Sequence, residues 1–110
     1  MKGVFSMLKQ LEFIPIILNG LGQAYHLYAT DILYQLFKQK DGMSIDNLIV
    51  FFRHRNQLIV WETIMLLLDL GLIKTVTSKS TNHFVITTKG LEKIHMILAC
   101  FNIGLNTPIK

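Results

Sequence analysis

Two guanidinium groups and two amides crowd into Arg53-His54-Arg55-Asn56-Gln57. Guanidinium forks pair with phosphate oxygens, and Asn and Gln amides bond phosphates or base edges, so the stretch suits nucleic acid. More cations follow at Lys74, Lys79, Lys89 and Lys93, and Glu92 is the one acidic residue from Lys74 to Lys93. Around Lys79, the run Thr77 to His83 adds the hydroxyls of Ser78 and Ser80 and the amide of Asn82, which also suit phosphate oxygens. The formal net charge of +4 and pI near 9.4 agree in sign with an anionic partner. Their placement says more than their sum.

Catalytic chemistry has no comparable support. The sequence contains no Gly-rich phosphate loop, HExxH, CxxC or Ser/His/Asp arrangement. Asp41 and Asp46 flank a turn and fit turn and cap chemistry. His54, His83, His95 and Cys100 have spacings that no tetrahedral site uses. The chain is therefore expected to be a non-enzyme without metal or cofactor. Its single cysteine excludes an intramolecular disulfide and reads as a small hydrophobe on a helix face.

These side chains need elements to position them. Ser44 reads as an N-cap, with Asp46 and Asn47 in the first turn, and Leu48, Ile49 and Phe52 give the short helix an apolar face. The basic turn Arg53 to Asn56 separates it from a second helix, Gln57 to Leu70, closed by Gly71. A strand starting at Leu72, a polar hairpin tip around Ser78 to Asn82 and a return strand His83 to Thr88 follow. Upstream, Gln23 to Lys40 has Tyr25, Tyr28, Ile32 and Leu36 on one stripe and stops at Asp41-Gly42. His26 beside that stripe reads as an ordinary helix histidine. Val4 to Leu18 is amphipathic, but Pro15 predicts an end or kink near Phe13, then a loop at Asn19 to Gly22. Thr87 or Thr88 caps a last helix, Lys89 to Phe101, and Asn102 to Lys110 forms a tail.

At this point the residues resemble a known family. Leu67-Leu68-Asp69-Leu70-Gly71-Leu72-Ile73-Lys74 resembles the end of the recognition helix in bacterial and archaeal winged-helix regulators. Phe84-Val85-Ile86-Thr87-Thr88-Lys89-Gly90-Leu91 is similar to the wing exit of the MarR and PadR groups, although Thr87 stands where those groups carry leucine. The resemblance covers about Gln23 to Leu98. It implies a mainly α fold with a small β-hairpin wing, an α+β winged helix-turn-helix, with residues 1–22 as an N-terminal arm, 23–88 as the core and 89–110 as a C-terminal dimerisation helix and tail. It also implies a homodimer on double-stranded DNA, first as a transcriptional regulator. Arg53, Arg55, Asn56, Gln57, Lys74, Ser78, Lys79, Ser80, Asn82 and Lys89 would be the DNA contacts.

The second helix departs from such a regulator. With Val60, Ile64, Leu67 and Leu68 facing inward, Leu58, Ile59, Glu62, Leu66 and Asp69 turn outward and Trp61 and Met65 flank them. A groove-reading helix carries polar and basic groups there. Apolar content of 51% against 16% charge likewise exceeds what one small core needs. Pairing of two such helices through Leu58, Ile59, Trp61, Met65 and Leu66, with Leu91, Ile94, Leu98 and Phe101 of the last helix, reconciles these facts. TubR-type plasmid partition proteins resemble this arrangement, so a plasmid or phage centromere-binding adaptor is one alternative, and a protein–protein interaction module without DNA binding is another. No apolar run reaches the roughly 18 residues of a membrane span, and Lys9 and Glu12 interrupt the N-terminal apolar stretch, so a cytoplasmic protein without membrane contact is expected.

Overall fold

A computed structural model describes the backbone of residues 14–78 and 81–105 and the side chains of residues 14–77 and 81–100. The predicted amphipathic arm before Ile14 lies outside them. Among the described residues the chain is mainly helical, with a small three-stranded antiparallel sheet, an α+β arrangement. No helix among them is long and apolar enough to cross a membrane.

Helix α1 covers residues 14–17, so the chain is helical just after Phe13 despite Pro15. Its turn closes through the Leu18 N–H donating to the Ile14 carbonyl at 2.8 Å, a bond that asks nothing of the proline nitrogen. A 3-10 turn at Gln23–Tyr25 leads into α2, His26–Lys38, which begins later and ends sooner than its periodicity predicts. His26 is buried, and its Nε2 lies 3.0 Å from the Leu21 carbonyl, tying the preceding loop to the helix.

The chain then reverses at Gly42, whose φ of 83° suits glycine. A Cβ there would also run into the Phe84 carbonyl and the Val85 side chain. Strand β1, Met43–Ser44, runs straight into α3, Ile45–Phe51. As predicted, Ser44 is the cap: its hydroxyl accepts from the Asn47 N–H at 3.1 Å.

Helix α4, Gln57–Asp69, starts at an Asn56 cap. It ends on Gly71 with φ 75°, where the Leu72 N–H donates to the Leu67 carbonyl at 2.9 Å and the Gly71 N–H to the Leu68 carbonyl at 3.0 Å. This is a Schellman closure, and it aims Leu72 into the core.

Strands β2, Ile73–Ser78, and β3, Thr81–Ile86, pair from Ile73 opposite Ile86 to Ser78 opposite Thr81, and β1 adds Met43 opposite Phe84, giving the order β1-β3-β2. The ladder therefore continues two residues further toward the tip than predicted, where the β-branched Thr77 donates its hydroxyl to Asn82 Oδ1 at 2.8 Å. Lys79 and Ser80 join the strands and lie outside the described residues.

Helix α5, Thr88–Leu105, is longer than predicted, so part of the expected tail is helical. No proline interrupts it before Pro108. Its cap is Thr87, whose hydroxyl accepts from the Gly90 N–H at 3.0 Å and donates to the Gly71 carbonyl at 2.6 Å, fastening the start of α5 to the end of α4.

Ile32, Leu33 and Leu36 of α2 meet Leu48 and Phe52, Val60, Ile64 and Leu67 of α4, Ile73 and Phe84 of the sheet, and Ile94 and Ile97 of α5 in one core. Each such burial is worth roughly 1.5–3 kcal/mol over exposure, so the core outweighs any surface pair described below. Two details depart from the predicted inward face of α4. Leu68 is only half-buried, and Thr63 takes a buried place, satisfied by donating its hydroxyl to the Ile59 carbonyl at 2.6 Å.

Candidate nucleic-acid interface

The turn between α3 and α4 collects the cations and amides singled out by sequence, and the fold makes internal use of most of them. Arg55 Nη2 donates to Asp31 Oδ2 of α2 at 3.0 Å. Its guanidinium lies 5.6 Å from the Tyr28 ring centre and 5.7 Å from that of Phe52, so it bridges α2 and the turn. With side chains 45% and 43% exposed, the Arg55–Asp31 pair is well screened by water.

Asn56 Oδ1 accepts from the Ile59 N–H at 3.2 Å, which occupies the amide oxygen as the α4 cap. Gln57 Nε2 donates to the Phe52 carbonyl at 2.7 Å and locks the turn. Lys89 Nζ donates to the Leu70 carbonyl at 3.2 Å, where a cation suits the carboxyl end of a helix.

Arg53 and Lys74 differ. Arg53 is exposed, and among the described residues its side chain bonds only its neighbour, Nε donating to His54 Nε2 at 3.2 Å. Lys74 is exposed on β2 and has no ion-pair or hydrogen-bonding partner among the described residues. Asn82 is exposed at the hairpin end, with its oxygen taken by Thr77. The side chains of Ser78, Lys79 and Ser80 lie outside the described residues. Sequence reasoning missed Asp31, Tyr28 and Phe52 as the anchors of Arg55. Asp31 is distant in the chain from Arg55, and only the packing of α2 against α4 brings them together.

The proposed interface residues divide as well. Leu58, Trp61 and Met65 are exposed at 66%, 39% and 49%, a continuous apolar stripe on α4. Met65 lies within that stripe rather than at its flank, while Ile59 and Leu66 are half-buried at its side. Ile94 is fully buried within the chain, which makes it a core residue and not an interface residue. Helix α5, which holds it, packs directly on α2. Leu91 and Leu98 are half-buried, and the Phe101 side chain lies outside the described residues.

Beside the stripe, the Tyr25 hydroxyl donates to Glu62 Oε1 at 3.0 Å, and this hydrogen bond, followed by the carboxylate charge, raises the phenol above its usual value of 10.0. The bond occupies one of the two α4 carboxylates that face outward. No group of three or more His, Cys, Asp or Glu among the described residues could hold a metal ion. Comparison with known proteins finds no matching family model, no matching curated relative and no matching solved structure.

Proposed function

We propose that this chain is a winged helix-turn-helix subunit that binds double-stranded DNA as a homodimer, with transcriptional regulation as its first role and partition-complex assembly as the alternative. The order of elements carries this reading: α2, β1, α3, a tight basic turn, α4, then an antiparallel hairpin closed by β1. In a winged helix such an order presents the amino-terminal end of α4 to a groove beside the hairpin, and a helix amino terminus favours phosphate. The exposed stripe Leu58, Trp61 and Met65 supports the homodimer, because it leaves only that end of α4 for a groove. Arg53, Lys74 and the hairpin-tip residues are the contacts, and Arg55 joins them when it leaves Asp31.

The test is fluorescence anisotropy on duplexes from the DNA flanking its own gene across a salt series. Binding whose log affinity falls steeply with log salt is expected, with a slope of about −0.9 per phosphate contacted. Absence of salt-sensitive binding to any duplex removes the DNA role. A second reading, a module for protein contact alone, draws on the same α4 stripe, since a groove-reading helix carries polar groups there. A chain that stays monomeric and aggregates until a different protein is added would select it.

A further inference from the structure

The cleft between α1, α2 and α5, about 360 Å³ in volume, contains a binding arrangement that shares the Arg55–Asp31 pair with the proposed DNA interface but uses it intact. Its walls are apolar, with Ile97 and Leu98 at the back and Leu27 and Tyr34 along the mouth. Leu27 is 58% exposed, so an apolar side chain lines a surface that water reaches. Small-molecule sites occupy roughly 300–1,000 Å³ and combine apolar walls with a few orienting polar groups, and this cleft falls in that class. Its charged lining groups are Asp31 and Arg55, paired with each other at 3.0 Å.

We propose that the cleft binds a neutral, largely apolar small molecule with one group that both donates and accepts a hydrogen bond, such as a hydroxyl or carboxamide. The charge arrangement selects this class. Each charge is already partnered by the other at 3.0 Å, so an anion gains from Arg55 but is opposed by Asp31, and a cation gains from Asp31 but is opposed by Arg55. A neutral donor–acceptor group donates to the Asp31 carboxylate and accepts from a guanidinium N–H beyond the one on Nη2 that the pair uses. The pair stays intact and gains a partner, while the apolar body covers Leu27, Tyr34 and Leu98.

The test titrates 2-naphthol, neutral at pH 7, into the isotopically labelled full-length chain and follows amide chemical shifts, with naphthalene-2-sulfonate as an anionic counterpart of similar shape. Saturable binding at one site per chain is expected, with a dissociation constant on the order of 100 µM for so small a molecule. Shifts should centre on Leu27, Asp31 and Leu98. Leu27→Glu, at the exposed mouth, should weaken 2-naphthol at least about tenfold with an unchanged circular dichroism spectrum. Asp31→Ala should weaken it by a smaller factor. Four outcomes overturn the proposal: shifts that never saturate, shifts centred on the α4 stripe, a Leu27→Glu chain that binds as well as its parent, or tighter binding of the sulfonate. Failure of the naphthol leaves the salt-dependent duplex measurement untouched, so the two readings fall separately.

Discussion

The basic turn and the α4 helix that follows it reverse the usual division of labour. In the turn, polar groups that could face a partner are engaged within the chain: Arg55 with Asp31, Asn56 with the Ile59 N–H and Gln57 with the Phe52 carbonyl. Along α4, apolar groups that could fill a core stand in solvent at Leu58, Trp61 and Met65. A side chain's type therefore does not settle its use. The turn has to hold two helices at a fixed angle, and polar residues do this because the orphan N–H and C=O groups at helix ends need partners. Among the described residues the α4 stripe has no such duty.

The most severe way to break this contrast is to charge the stripe. Leu58→Glu with Met65→Glu should raise the dissociation constant of the proposed homodimer by about 100-fold or more, since central apolar anchors are each worth about 2 kcal/mol or above. Sedimentation velocity over a concentration series measures it. Unchanged self-association would detach the stripe from the homodimer. Next in size is Arg53→Ala, which should lower the magnitude of the salt slope for duplex binding by about one phosphate contact. An identical slope would exclude Arg53 from the interface.

Asn56→Ala tests the turn's structural duty and should cost about 1 kcal/mol, which for a domain of this size lowers the melting temperature by several degrees. A variant that melts with the parent would mean that the cap bond adds nothing. Asp31→Asn should change stability by less than about 1 kcal/mol, because the pair is half-exposed. It should at the same time release Arg55 and tighten duplex binding at low salt; weaker binding would show that Arg55 acts from its paired position. The smallest effect lies at Tyr25. Its protonated phenol is the form that donates to Glu62, so the raised value means that this contact is present below the ordinary tyrosine range and is lost as pH climbs through the raised value. In an ultraviolet titration, Tyr25→Phe should remove the transition lying above the ordinary range, and persistence of that transition would assign it elsewhere.

What could be read from the sequence follows from how local each signal is. Caps and stops act within a few residues, so Ser44, Gly71, Thr87 and the hairpin between β2 and β3 were all legible. The inward face of α4 was legible from its period, apart from Leu68, which is only half-buried, and Thr63, whose hydroxyl finds a carbonyl one turn back. Long-range partnerships were not. Nothing near Arg55 announces Asp31, and the wide apolar stripe of α5 could not separate Ile94, fully buried, from Leu98, half-buried. Helix periodicity tells which face is apolar but not how many neighbours cover it.

The short strand β1 gives Ser44 two duties at once: its backbone stands opposite His83 in the ladder, and its hydroxyl holds the first turn of α3. The middle of β3 and the start of α3 therefore cannot open separately without losing one of these. In a native-state hydrogen-exchange experiment the amides of Asn47 and Phe84 should report one shared opening event with one denaturant dependence. Any motion that tilts the hairpin would then carry α3, and the basic turn that follows it, along with β1.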